Sequence, residues 1–233
     1  MLKDWNDLPN FMKTDELKPY WIYLRKKRIQ IILKRVFDIF FSLLLLFVFL
    51  VPMIIIAILI KIDSSGTVFY RQERITQYGK CFKIHKFRTM IQNADRLGSS
   101  VTVQNDSRIT KIGKKLRKYR LDELPQLFDI ISGNMSFVGT RPEAVKYVKK
   151  YKNQYYATLL MPAGITSEAS IRFKDEEKLI DGNVDIDCTY VNKILPLKMY
   201  WNLKSIKNFN VCNDIITMFR TVFAVLGKEY KYK

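Results

Sequence analysis

The sequence predicts an α+β fold, mainly helical, seated on a re-entrant membrane hairpin. Three observations carry that expectation. An apolar run of about 22 residues, Ile39 to Ile60, is long enough for a bilayer, where about 20 suffice, yet it is basic at both ends and holds Pro52. Two runs, TVFYRQERI and CFKIHKFRTM, flank TQYGK and read as two strands joined by a loop. Amphipathic segments rich in lysine and aromatic residues then recur toward the C-terminus. The expected layout is a basic and aromatic extension over 1–33, the membrane hairpin over 34–62, a cytosolic catalytic domain over 63–200, and an amphipathic interfacial helix with a basic tail over 201–233.

Composition narrows the function classes. The chain has 233 residues with 40 Lys and Arg against 22 Asp and Glu, a net charge of +18. Such a surplus points to an anionic partner: nucleic acid, acidic lipid or a phosphorylated substrate. A hydrophobic content of 48% excludes a disordered basic tail. Cys81, Cys188 and Cys212 are far apart, so no disulfide framework or zinc site is expected, only reduced thiols facing the cytosol. His85 is the sole histidine, which excludes a histidine-based metal centre or a Ser-His triad within one chain. It reads as a strand residue without chemistry. No cleavable signal peptide opens the chain, so the apolar run is expected to be retained.

The apolar run is taken first. Arg25, Lys26, Lys27, Arg28, Lys34 and Arg35 precede it, and Lys61, Arg71, Arg74, Lys80, Lys83, Lys86 and Arg88 follow. Basic flanks stay on the cytoplasmic side, and here both ends ask for it. Proline removes a backbone donor and bends or breaks a helix, so Pro52 suits a helix that enters and leaves on one face. The alternative is an ordinary span that tolerates its proline. Asp38 is costly in lipid and is expected at the interface or paired with a neighbour such as Arg35.

DSSG, from Asp63 to Gly66, is a turn signal before the two strands. In the second strand Phe82, Ile84, Lys86 and Arg88 share a face by the period of two, so Lys86 and Arg88 either reach one anion or end a solvated strand. Gln92 to Ser107 reads as a polar, mobile loop. Helical spacing follows at Ile109–Tyr119, Ala144–Leu160 and Leu203–Leu226, and these helices either lie in the membrane surface or pack on a soluble core.

The densest chemistry lies in RLDELPQLFD, Arg120 to Asp129, directly after KIGKKLRKYR. Pro125 suits a first helical turn, so Asp122 and Glu123 stand at a helix start, where the dipole and the nearby Arg117 and Arg120 favour ionised carboxylates. An ionised Asp among cations can attack phosphorus and form an acyl phosphate, while its neighbour holds a metal or moves protons. Adjacent helical residues point about 100° apart, which disfavours a shared-proton dyad. A glycosidase is also disfavoured, since its carboxylates face each other across a sugar at about 5 to 9 Å. The plain alternative is a helix cap with surface acids. Downstream, in SGNMSFVGTRPEA, Arg141 is fixed by Pro142 and suits bidentate phosphate binding. Lys86, Arg88, Arg117 and Arg141 around an acid pair on a membrane base suggest phosphoryl transfer to or from a lipid.

These stretches resemble the bacterial sugar transferases, the monotopic phosphoglycosyl transferases. The resemblance rests on KRVFD, TVFYRQERITQYGKCFKIHKFRTM, DSRITKIGKKLRKYRLDELPQLFDIISGNMSFVGTRP and AGITSEASIRF, in the family's order, over Lys34 to about Phe173. The chain looks like a small, minimal type. The resemblance implies transfer of a phospho-sugar from a UDP-sugar to polyprenol phosphate, with release of UMP and a need for Mg²⁺. It implies Asp122 as covalent nucleophile and Glu123 as its partner in metal binding and catalysis, with Lys86, Arg117 and Arg141 near the substrate phosphates. Pro52 matches the bend of the re-entrant helix, and Lys34 and Arg35 its basic anchor. The product would be the first lipid-linked sugar of a capsule, O-antigen, exopolysaccharide or glycoprotein glycan, made on the cytoplasmic face of the bacterial inner membrane. Membrane lipids are expected partners, a homodimer is left open, and nucleic acid is not expected.

The chain departs from the family pattern at Val51, Thr140, Ala163, Ser167 and Ser170 to Lys174, where Arg172 or Lys174 stands in for a nucleotide-contacting arginine. The rival classes are a membrane-tethered nucleic-acid binder, which lacks any helix-turn-helix or RNP-type pattern, and a structural membrane protein, which leaves the acid pair unexplained.

Overall fold

The computed structural model of the chain describes residues 2–94, 106–174, 186–228 and 230. Two 3-10 turns, Trp5–Asp7 and Asn10–Met12, lead into helix α1 (Lys18–Lys26), which carries proline in its first turn. This opening segment is part of the core. Leu8, Met12, Leu17 and Leu24 bury with Ala157, Leu160, Ile206 and Phe209. Trp21 Nε1 donates to the Lys3 carbonyl at 3.0 Å, and the Lys3 amide to the Tyr78 hydroxyl at 2.8 Å. Phe11 occupies the space a side chain at Gly79 would need: a Cβ there would come within 2.7 Å of its ring. Leu17→Ala is therefore expected to cost about 2–5 kcal/mol, the range for leucines truncated in a core. A urea titration in detergent measures it, and a loss below about 0.5 kcal/mol would show the segment to be loosely attached.

Helix α2 (Arg28–Asp63) contains the apolar run. It has 36 residues, about 54 Å at 1.5 Å each. The expected break at Pro52 is not there: the helix continues through it. Proline removes one donor, and the hydrogen-bond ladder of leucine, valine and isoleucine on both sides carries the helix past that gap. Phe40, Phe47, Val51, Ile55 and Ile62 are exposed along it, a surface fit for lipid.

Both ends of α2 are tied to the same protein body. Near its start, Lys34 pairs with Asp214 at 2.6 Å, and Arg35 donates to the Ile130 and Ile131 carbonyls at 2.6 and 3.0 Å. Asp38, expected at the interface or paired with a neighbour such as Arg35, is instead buried and accepts from the Phe137 amide at 3.3 Å. Near its end, Met53, Ile56 and Ile60 bury against Phe87 and Leu116, and Asp63 Oδ2 accepts from the Ile112 amide at 3.0 Å.

The expected strands form as β1 (Phe69–Ile75) and β2 (Cys81–Phe87), an antiparallel pair in register from Phe69↔Phe87 to Ile75↔Cys81. After them come α3 (Lys111–Lys118), α4 (Gln126–Ile131), β3 (Met135–Val138), α5 (Val145–Val148), β4 (Ala163–Thr166) and α6 (Glu168–Arg172). Strands β3 and β4 pair in parallel, which the turn-rich sequence around them did not suggest. Gly139 and Gly164 make this possible, because a Cβ on Gly164 would meet the Gly139 amide at 2.1 Å. The chain closes with α7 (Ile186–Thr189), a π turn (Tyr190–Ile194), α8 (Leu195–Lys207) and α9 (Val211–Val225).

The amphipathic segments take different fates. Ala144–Leu160 is not one surface helix. It divides into α5 and a 3-10 stretch, Asn153–Leu160, and its Tyr147, Tyr151, Leu159 and Leu160 lie in the core. Leu203–Leu226 divides where Asn210 caps α9, its side chain accepting from the Cys212 amide at 2.9 Å. Helix α8 buries Met199, Leu203 and Ile206, whereas α9 exposes Ile216, Phe219, Val222 and Phe223. Most of the polar segment Gln92–Ser107 lies outside the described residues.

Candidate active site

The acid pair is pulled inward by its apolar neighbours. Helix α3 ends at Lys118 with Tyr119 as its cap, and Arg120 takes a left-handed conformation, φ +56°, that reverses the chain. This is uncommon for a residue with a side chain. A 3-10 turn, Leu121–Glu123, follows, and Pro125 leads into α4. Leu121 and Leu124 pack on the cluster around Phe87 and Leu116, while Leu127 and Ile130 enter the cluster with Phe82, Ile84 and Phe137. Asp122 and Glu123 ride between these anchors and are 8% and 7% exposed. The plain alternative of surface acids is thereby ruled out.

The two carboxylates have opposite surroundings. Glu123 Oε1 accepts from Arg141 Nη2 at 2.5 Å and Lys86 Nζ at 3.3 Å, with Arg120 Nη1 at 3.7 Å. Arg141 Nη1 also reaches Oε2 at 3.4 Å. Burial by itself pushes the Glu123 carboxyl up, but Arg141, Lys86 and Arg120 outweigh it and hold it well below the usual range. Asp122 Oδ1 is buried without a hydrogen-bond partner among the described residues. Burial pushes Asp122 up, and the Glu123 charge adds to this, against Lys86, Arg120 and Arg117. The expectation of ionised carboxylates holds for Glu123 and is corrected for Asp122, whose burial opposes its charge: Glu123 anchors the cations, and Asp122 Oδ1 is left as an open acceptor.

The predicted cations sort by the side chains they meet. Lys86 and Arg141 converge on Glu123, and Arg117 lies close enough to stabilise a charge on Asp122. Burial lowers the Lys86 ammonium, with Arg141 and Arg74 adding repulsion against the pull of Glu123 and Asp122. Arg88 does not join them. It lies one residue beyond β2, and its Nη2 donates to the Ser64 carbonyl and hydroxyl at 2.7 and 2.9 Å, bracing the turn between α2 and β1. Arg172 is also elsewhere, paired with Glu168 at 2.7 Å and stacked on Trp201 at 3.8 Å. Lys174 comes nearer: its carbonyl accepts from Arg120 Nη2 at 3.1 Å, while its ammonium donates to the Ala224 and Lys228 carbonyls at 3.3 Å each.

Sequence reasoning passed over Asp129. Only 1% exposed, it accepts from both the His85 amide and His85 Nδ1 at 2.8 Å, so the lone histidine is tethered to α4. An aspartate set among leucine and isoleucine in a short helix was the available signal. A cavity of about 370 Å³ lined by Trp201, Asn202 and Thr217 contains neither acid of the pair and none of the cations on Glu123.

Among the described residues no three metal-ligating side chains cluster. Mg²⁺ needs less from a protein, since one or two carboxylates plus substrate phosphates suffice. The pair fits that demand unequally, with Asp122 Oδ1 open and Glu123 committed to cations. Chemically, the site can hold a diphosphate in a cradle of Lys86, Arg117, Arg120 and Arg141 and present a carboxylate oxygen to it.

Comparison with known proteins gives a consistent result. The sequence model of the family described as bacterial sugar transferase matches residues 29–228. The exopolysaccharide production protein PSS of Rhizobium leguminosarum bv. phaseoli is 39% identical over 85% of this chain and 97% of its own length. The UDP-N-acetylgalactosamine-undecaprenyl-phosphate N-acetylgalactosaminephosphotransferase of Aeromonas hydrophila is 32% identical over 83% of this chain and 44% of its own. The UDP-glucose:undecaprenyl-phosphate glucose-1-phosphate transferase of Escherichia coli (strain K12) is 34% identical over 82% and 40%. The chain thus spans less than half the length of the last two.

Proposed function

The chain belongs to the bacterial sugar transferase family, and from that membership we propose that it is a phosphoglycosyl transferase that moves a sugar phosphate from a UDP-sugar to polyprenol phosphate. The observation that carries this reading is the divided acid pair: one buried carboxylate held by cations, the other buried with an open oxygen. The relatives named for undecaprenyl-phosphate transfer and for exopolysaccharide production support the acceptor and the place at the start of a surface glycan.

The residues act as follows. Arg141, Lys86, Arg117 and Arg120 bind the diphosphate and offset its charge, without which an anionic nucleophile is repelled. Asp122 Oδ1 attacks the sugar-bearing phosphorus. The bond from that phosphorus to UMP breaks, UMP departs, and an acyl phosphate remains. An oxygen of polyprenol phosphate then attacks the same phosphorus, and the Asp122 carboxylate leaves. Glu123 keeps Arg141 and Lys86 aimed throughout. Glu123 and the Asp122 oxygen that does not attack would hold Mg²⁺, which would supply Lewis acidity at the phosphates. A transfer assay with radiolabelled UDP-sugars and undecaprenyl phosphate tests the activity. Labelled lipid from none of a panel of common UDP-sugars would refute it.

The membrane reading completes the proposal. A span would carry one end of α2 across the bilayer, yet both ends are anchored on one body, through Arg35 and Asp38 at one end and Asp63 at the other. This supports a helix that keeps the whole catalytic body on one side of the membrane, and the basic residues on both sides of the apolar run favour the cytoplasmic side. The exposed apolar side of α9 then rests in the lipid surface. Cysteines placed before Lys34 and after Lys61 are expected to resist an impermeant periplasmic reagent in intact cells. Labelling of only one of them would establish a span.

A further inference from the structure

Arg141 owes its place to residues outside the acid-pair site. The two residues that follow it are bound to β1: the Pro142 carbonyl accepts from Arg74 Nη1 at 3.4 Å, and the Glu143 carbonyl from the Ile75 amide at 3.0 Å. The Glu143 side chain turns into the core, 6% exposed. Its Oε1 accepts from the Tyr190 hydroxyl at 2.7 Å and lies 3.3 Å from Lys198 Nζ, which donates to the same hydroxyl at 2.8 Å. Tyr190 and Lys198 are 3% and 4% exposed. Tyr190 opens the π turn, an irregularity found often at functional sites.

The charges make sense of this network. Arg74, Arg141 and Lys86 lie close enough to destabilise one another. Glu143 is the carboxylate near Arg74 that offsets this. Burial works against its charge, but Lys198, the Tyr190 hydroxyl and Arg74 keep it ionised. A buried ion pair is a weak device for stability, since apolar replacements often serve as well. It holds a geometry instead.

We propose that Glu143 is a positioning residue: gripped by Tyr190 and Lys198 and hydrogen-bonded to β1, it fixes the segment that carries Arg141, so that Arg141 faces the donor diphosphate beside Lys86. This rests on the donor reading given above. The test is the double variant Glu143→Gln with Lys198→Met. The glutamine amide retains an acceptor for Tyr190, and the methionine leaves no ammonium unpaired, so the fold survives. This variant is expected to fold with a melting temperature below wild type, since Arg74 loses its nearby carboxylate, while UDP binding by calorimetry, measured well below that temperature, weakens at least about tenfold, the scale of a lost charge-assisted bond. In the transfer assay KM rises more than kcat falls. Tyr190→Phe, a smaller change, is expected to weaken UDP binding about threefold or more. UDP affinity equal to wild type in both variants overturns the positioning role alone. A wild type that does not bind UDP overturns the donor reading and the positioning role with it.

Discussion

Asp122→Asn is expected to abolish sugar-phosphate transfer, by at least about 10³-fold. Asparagine matches aspartate in shape and has an amide in place of the carboxylate oxygen that must bond to phosphorus. The site around it should hold, because Asp122 Oδ1 has no hydrogen-bond partner among the described residues to lose and the cations stay on Glu123. Folding and UDP binding are therefore expected to survive while turnover disappears. Intact-protein mass decides the mechanism. Wild type incubated with the UDP-sugar alone should gain the mass of one phospho-sugar and release UMP before any lipid is added, and Asp122→Asn should gain nothing. Initial rates should be ping-pong. If wild type gains no mass and both substrates must bind together, direct transfer replaces the aspartyl intermediate.

Arg141→Ala is the second large effect, with kcat/KM expected to fall about 10²–10³-fold, the scale of losing one preorganised donor to a reacting oxyanion. Two losses combine. The diphosphate loses a guanidinium that can make paired, charge-assisted bonds. Glu123 loses its nearest cation and remains buried with Lys86 and Arg120. Arg117→Ala should be impaired in the same direction but less, because Arg117 acts on Asp122 through its field. Lys149, exposed and outside the site, serves as the control, and its alanine variant should lose only screened attraction. Arg141→Lys should recover part of the activity, since one ammonium replaces the charge without the planar fork. Equal losses in the Arg141, Arg117 and Lys149 alanine variants would mean that the chain binds anions diffusely and has no defined phosphate site.

How legible the molecule was depends on the range of each interaction. The β-hairpin, the apolar helix and the helix that Pro125 opens were readable, because alternation, apolar run length and proline chemistry act over a few neighbouring residues. The parallel pairing of β3 with β4 was not, since its four-residue strands are too short to show a period and depend on two glycines meeting backbone to backbone. Arg88 illustrates a different failure. The period of two placed it on the Lys86 face, but the strand ends before it, and the carbonyl of Ser64 captures it.

By itself the sequence determined the chemistry on offer: a long apolar helix with basic ends, an adjacent acid pair behind a basic helix, and Arg141 locked by Pro142. Tertiary structure alone decided how that chemistry is divided. Lys86 and Arg141 reach Glu123 from 37 and 18 residues away, Arg35 fastens α2 to α4 across 95, and Lys34 to α9 across 180. Burial strips water from both acids, and only the placement of distant cations then separates an ionised anchor from a carboxylate with an open oxygen. A charge in a low-dielectric interior is set by the groups within a few ångströms of it, and local periodicity carries no record of which groups those are.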